Sequence, residues 1–353
     1  MNNSETGNEE RLEKLNKLMA SLSNSEAGLE MLRQAADKNG LSVLRHVDRS
    51  PFPAVAETPE DRSGVVIDVE TTGTDVTQDK VTQLAMMRFR FNERGISRIE
   101  TDSIFNKLND PGISIPQEVT RLTGISNDDV KGKTISDEDI QAFLEEADIV
   151  IAHNAGFDRM MVENAFPNGG FDKRDWFCSL ESVDWLMRGS NGRSLEILAL
   201  QAGYTYGSHD ALQDIMATAF VLNNPPGVTE TSPFQEMIEN GRHEKIMLVA
   251  TSAPFASKDD LKRNGYHFDS NGASNGGYPK TWHKTIDDTP ENRVAEAETL
   301  QQAFGRHVVL PGFQTTPRNQ YSPRLGNRFE FSTENPTNVP PDLDNSIAVP
   351  EVN

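Results

Sequence analysis

The stretch Gly64–Gly73, GVVIDVETTG, decides how the rest of the chain is read. Val65, Val66 and Ile67 make a short, continuous, β-branched apolar run, the pattern of a central strand buried on both faces. Asp68 and Glu70 then interrupt it. Side chains two apart on a strand share a face, so both carboxylates emerge together from the end of a buried strand. Two anions held that close repel unless positive charge sits between them, and a hard divalent cation with oxygen ligands is the simplest solution. Taken alone, the pair is better read as two solvated strand-end acids, of which an acidic chain should hold about one or two by chance. The remainder of the sequence has to decide.

With 353 residues, the chain is long enough for one sizeable core and a smaller module, at about 100 to 200 residues per domain. A hydrophobic fraction of 36% and a mean hydropathy of −0.57 are low for one compact globule and predict disordered ends. The sequence has no apolar run of the roughly 18 residues that a membrane span needs, and no charged-then-apolar leader; no membrane partner and no secretory route are expected. A single cysteine, Cys178, excludes an intramolecular disulfide framework and a thiolate zinc site, which makes a reducing, cytoplasmic setting the default. A net charge of −20 weakens non-specific attraction to a nucleic-acid backbone, so any nucleic-acid role must rest on metals and local basic patches.

Residues 1–60 read as a polar, partly disordered leader with two short amphipathic helices around Leu12–Leu22 and Leu29–Ala35, structural elements or a partner-binding arm. From 61 to 224 the patterns follow the order βββ, αα, β, α, β, αα, an α/β unit. It comprises the opening strand, VTQLAMMRFRF, ISRIETDSIFNKL, helices in PQEVTRLTG and DEDIQAFLEEA, the strand DIVIA, a helix through Phe166, candidates at Phe177–Met187 and Ser194–Gly203, and a last helix over Ala211–Leu222. The segment NNPPGVTETSP marks a boundary. Residues 225–313 then read as a small α+β module, and 314–353, rich in Pro, Asn, Thr and acids, as a disordered tail.

Further acids fall at suggestive places. Asp158 starts a helix just past the carboxyl end of a strand, where open α/β sheets put ligands. His209 precedes the last helix, and Asp214 lies little more than one turn into it. Each alone has a plain structural reading, as a helix-end charge, a solvated cap or an exposed face residue.

In this order and spacing, DVETTG, HNAGFD and HDALQD resemble the three motifs of the DEDDh branch of the DnaQ-like 3′–5′ exonucleases, a family that includes the epsilon subunit of bacterial DNA polymerase III. The resemblance covers roughly Gly64–Leu222 and implies a ribonuclease H-like fold, a mixed five-stranded sheet with flanking helices. It also implies that Asp68, Glu70, Asp158 and Asp214 surround two divalent cations, Mg²⁺ with Mn²⁺ able to substitute, and that His209 is the general base. Two-metal phosphodiester cleavage explains these residue types, since charge is needed on both the attacking and the leaving oxygen. Asp210 departs from the pattern, because relatives usually carry arginine there.

Thr71, Thr72 and Gly73 are expected to meet the terminal nucleotide through backbone amides, Gly73 for close approach or a positive φ. Asn154 and Phe157 are expected as second-motif support, with Phe157 weighted towards the core. In the second module, Lys262, Arg263, Lys280 and Trp282 belong to a cluster, with Lys258, His283 and Lys284, that would guide a single strand or form a solvated face over a small core. The expected partner is a single-stranded nucleic-acid 3′ end, DNA before RNA, and the resemblance adds a DNA polymerase or replication partner. The alternatives are an RNA-trimming enzyme like ribonuclease T or oligoribonuclease, and an inactive polymerase-associated module.

Overall fold

The computed structural model describes residues 3–23, 25–223, 231–270, 272 and 277–338. Two helices come first, α1 (Asn3–Ser23) and α2 (Glu26–Asp37), the second capped by the Ser25 hydroxyl, which accepts the Gly28 amide at 3.1 Å. Leu29 of α2 is buried, whereas Leu12, Leu15, Leu18 and Met19 of α1 stay exposed. The short strand β1 (Arg45–His46) leads to β2 (Arg62–Thr71), β3 (Val81–Asn92) and β4 (Gly95–Leu108). Helices α3 (Gln117–Thr123), α4 (Asn127–Val130) and α5 (Asp137–Leu144) precede β5 (Ile149–Ala152), α6 (Ala155–Ala165) and β6 (Asp175–Cys178). Next come α7 (Leu195–Gln201), β7 (Tyr204–Thr205) and α8 (Ala211–Asn223).

A mixed five-stranded sheet of order β4-β3-β2-β5-β6 is antiparallel as far as β2 and parallel beyond it. Central β2 has Val65, Val66 and Ile67 at most 1% exposed. Val66 packs with Ile215, Ala219 and Phe220 of α8 on one face. Val65 and Ile67 pack with Ile140 and Leu144 of α5 and with Met161 and Val162 of α6 on the other. A strand covered by apolar groups on both sides tolerates no acid until it leaves the core, which puts Asp68 and Glu70 at its far end. Pairing of β5 with β2 stops at Val66 and Ile151, so from Asp68 onward β2 has no strand beside it on that side. Cys178 ends β6 and is fully buried.

Helix α9 (Pro233–Arg242) starts with a Ser232–Gln235 capping box. Its Phe234 and Met237 lie in the core of the first sheet, Phe234 against the rings of Phe89 and Phe91. The second unit therefore begins after α9 and not at residue 225; residues 224–230 of the Pro-rich boundary segment lie outside the described residues. It contains β8 (Lys245–Ala250), α10 (Lys258–Arg263), β9 (His267–Asp269), β10 (Thr281–Asp287), α11 (Pro290–Phe304), β11 (Val309–Thr315) and β12 (Arg328–Ser332). These strands form an antiparallel five-stranded sheet of order β12-β11-β8-β10-β9, with α10 and α11 on its Ile246–Leu248–Ala250 face. Among the described residues no helix is long and apolar enough to cross a membrane.

The largest departure from the sequence expectation is at the carboxyl end. Gln314 and Thr315 finish β11, and Phe329 and Phe331 of β12 enter the core of the second unit, so residues 314–338 are not a disordered tail. The Pro- and Asn-rich stretch between those strands forms a strap, residues 316–325, whose polar groups bond to the first unit. The Trp176 amide donates to the Pro317 carbonyl at 2.8 Å, and Gln320 Nε2 donates to the carbonyls of Trp176 at 2.5 Å and Gly241 at 3.3 Å. Residues 339–353 lie outside the described residues. Phe331 is 1% exposed. Phe331→Ala should therefore lower unfolding stability by about 3 kcal/mol or more in a denaturant titration, where a tail residue would leave the midpoint in place.

Candidate metal centre

Counting from Val66, Asp68 and Glu70 leave β2 on the face covered by α8, and Asp214 comes from the first turn of that helix. One carboxylate oxygen from each of the three lies within 4.8 Å of the other two. Asp158 approaches from the first turn of α6, past the end of β5, and its carboxylate comes near the amide of Val69, the residue between Asp68 and Glu70. That amide is available because β5 has stopped short of it. Helix α6 begins where the Asn154 carbonyl accepts the amides of Phe157 at 2.8 Å and Asp158 at 3.1 Å. Asp214 is held in turn by the Tyr206 hydroxyl and by the backbone amides of His209 and Asp210.

Burial and mutual repulsion raise the proton affinity of all four acids. Glu70 is pushed up to about 8, by burial first and then by Asp214, Asp210 and Asp158. Burial likewise leads for Asp158 and Asp214, each raised to about 7, with the Val69 and Tyr206 hydrogen bonds working against it. Asp68 is raised well above the ordinary carboxylate range by burial and then by the charges of Asp158, Asp214 and Glu70. Among the described residues no lysine or arginine forms an ion pair with any of the four. A closely set group of oxygen donors that cannot all ionise without a counter-charge suits a hard divalent cation.

Residues 65–222 match the exonuclease (RNase_T) family model. The DNA polymerase III subunit epsilon of Aquifex aeolicus is 32% identical over 167 residues, covering 46% of this chain and 79% of that protein. The chain belongs to the DnaQ-like exonuclease family. The PolC-type DNA polymerase III of Clostridium perfringens is 29% identical over 199 residues, which is 53% of this chain but only 13% of the polymerase. This exonuclease-family chain thus spans a small part of the PolC-type relatives it matches. The structure titled exonuclease X in complex with 5′ overhanging duplex DNA is similar at 22% identity, over 50% of this chain and 99% of that one, with a TM-score of 0.37.

Around the exonuclease-family motifs, the other anticipated residues divide. His209 lies at the mouth of the cluster with its imidazole exposed and its φ at 63°, a left-handed conformation; its amide is one of those on Asp214. Thr72 uses its amide on the Lys80 carbonyl and its hydroxyl on Asp79, at 2.9 and 2.8 Å, and the Thr71 hydroxyl donates to the Gly73 carbonyl at 2.6 Å. These threonines are spent on the turn itself, which corrects the expectation that the Thr72 amide meets a nucleotide. Gly73 has no positive φ; a Cβ there would come within 2.4 Å of the Asp79 carboxylate, so the close approach is internal. Asn154 is exposed, and Phe157 packs against the core. His153 is half-buried, bonded to Ser179 Oγ and the Arg193 carbonyl at 2.9 Å each, and desolvation pushes it down to about 4, so it is a neutral structural tie.

One contributor escaped the sequence reading: Tyr206 reaches Asp214 from a loop and carries no spacing signal. Asp210, the departure already noted in the third motif, caps α8 by accepting the Leu212 amide at 3.0 Å and adds negative charge to Glu70 and Asp214. The basic cluster of the second unit divides between paired and exposed cations over a small core. Arg263 pairs with Asp260 and Lys284 with Glu296, and Trp282 packs against the core, its ring 5.3 Å from that of Phe268; Lys262 and Lys280 remain exposed.

The raised acids fix a pH dependence. Each binds its proton more tightly folded than unfolded, so the stability that these acids lend the metal-free protein is fully present near pH 4 and below and is lost as pH rises through 7 to 8. Thermal melts in chelator should show that decline, and added Mg²⁺ or Mn²⁺ should flatten it, most above pH 7.

Proposed function

We propose that the chain is a divalent-metal-dependent 3′–5′ exonuclease that hydrolyses phosphodiester bonds at the 3′ end of single-stranded DNA and releases nucleoside 5′-monophosphates. The observation that carries this reading is the convergence of Asp68, Glu70 and Asp214 within 4.8 Å, with Asp158 close enough to raise the proton affinity of Asp68. Asp68, Glu70, Asp214 and Asp158 would hold Mg²⁺, with Mn²⁺ able to replace it. Divalent cations bound there would supply the charge that makes water acidic enough to attack phosphorus and that steadies the departing 3′ oxygen.

The protein's own part is positioning and proton transfer. Tyr206 and the amides of His209 and Asp210 offer donors to the Asp214 carboxylate, and the Val69 amide offers one to Asp158. His209, exposed beside them, takes the proton of the attacking water on a ring nitrogen. Exposed Asn154 borders the approach to α6 and is available to the substrate strand. The names of the relatives, DNA polymerase III epsilon subunit and PolC-type polymerase, support DNA over RNA and a replicative DNA polymerase as partner, in proofreading or repair.

Asp68→Ala should abolish cleavage of end-labelled oligomers in Mg²⁺ or Mn²⁺ without lowering the melting temperature of the metal-free protein, because it removes one of four repelling charges. His209→Ala should lower kcat by about 100-fold or more. Matched DNA and RNA oligomers, single-stranded and duplex, report polarity and sugar preference in one experiment; faster digestion of RNA would assign an RNA-trimming role instead.

A further inference from the structure

The residue after Asp158 points away from the acids. Arg159 is 0% exposed, and its guanidinium lies 5.2 Å from the centre of the Trp176 ring. It donates from Nε to Glu163 at 2.8 Å, from Nη1 to the Gln320 carbonyl at 2.7 Å and from Nη2 to the Arg318 carbonyl at 2.8 Å. Two of these three acceptors belong to the 316–325 strap. The strap returns the grip, since Arg324 pairs with the same Glu163 oxygen at 2.5 Å and Arg318 with Asp175 of β6 at 2.8 Å. The other Glu163 oxygen, Oε2, is buried with no hydrogen-bond partner, so that carboxylate depends on the two arginines.

We propose that Arg159 is a positioning residue of the nuclease site: by clamping the first turn of α6 to the 316–325 strap, it holds Asp158 in place past the end of β5 and makes the second unit part of the cation-binding machinery. The inference rests on the reading of Asp158 as a cation-holding residue. A guanidinium stays charged at any accessible pH, so its donors must be met wherever it is buried. Without the strap, Arg159 keeps one acceptor, and the least costly relief is a turn of the α6 end towards water. Residues 158 and 159 share one turn of helix and move together, and displacement of a reacting group by about 1 Å is enough to cost most of its effect. Lysine cannot replace the clamp, because a single ammonium does not span two carbonyls and a carboxylate in the fork geometry of arginine.

The test uses the full-length chain, with Mn²⁺ binding measured by titration calorimetry beside steady-state cleavage of a single-stranded oligomer. Arg159→Lys should weaken Mn²⁺ binding about 10-fold and lower kcat by a similar factor, with KM for the oligomer moving less than about twofold. Gln320→Ala, which loosens the strap from Trp176 and Gly241 without touching α6, should shift both in the same direction by less, and it carries the test alone if Arg159→Lys does not fold. Arg188→Lys is the control, another buried arginine, 7% exposed and held by Glu236 and the Thr231 carbonyl; it should cost thermal stability and leave both readouts unchanged. Lost melting temperature with unchanged Mn²⁺ binding and kcat in the Arg159 and Gln320 variants would overturn the proposal. If Asp158→Asn itself leaves binding and kcat unaltered, the assignment of the site fails and takes the clamp with it.

Discussion

Like charges brought together at the end of a buried strand are the constraint on which the rest of this structure turns. Asp68 and Glu70 must leave β2 on one face because a strand alternates, and Asp158 and Asp214 are delivered from helices that cover opposite faces of the sheet. They meet only because β5 is shorter than β2, which leaves the end of the central strand open at its side. The cost of keeping four acids there is visible in their raised proton affinities, and among the described residues what works against it is a handful of uncharged donors: the backbone amides of Val69, Asn154 and Asp158 at Asp158, and the Tyr206 hydroxyl with the amides of His209 and Asp210 at Asp214. These orient the carboxylates without neutralising them. The arrangement is strained as a folded state and suited as a cation receptor for one and the same reason.

The two units share more than a linker. Helix α9 puts Phe234 and Met237 into the core under the first sheet, while the strap closes the free edge of β6 by taking up both the amide and the carbonyl of Trp176. An open edge strand invites pairing with other chains, and covering it with a segment of the same chain removes that hazard. The cover uses mainly backbone carbonyls and one glutamine, so its composition can remain polar.

That polarity explains what the sequence could and could not convey. DVETTG, HNAGFD and HDALQD were legible because each motif is local, a strand end or a helix start whose geometry follows from residues beside it in the chain. The helices and strands of the first sheet were legible for the same reason, through apolar periodicity. The strap was not, because Pro317, Arg318 and Gln320 find their partners on Trp176, Arg159 and Asp175, far away along the chain, and composition alone reads such a stretch as unfolded. Tyr206 and Gly73 failed differently: the tyrosine acts from a loop whose path no pattern encodes, and the glycine makes room for the neighbouring Asp79 and not for a ligand. The lysines and arginines around Trp282 looked like one patch because the acids that pair with Arg263 and Lys284 lie on other turns.

The lone thiol gives the molecule a built-in chemical clock. Cys178 is sealed at the end of β6, beneath the strap's edge of the sheet, and burial pushes its ionisation up to about 12, so alkylating reagents should find almost no reactive thiolate while the fold is closed. Its rate of modification then reports how often that edge breathes, separately from global unfolding. A chain with one cysteine, placed there, can be followed opening and shutting through its alkylation rate with no residue changed.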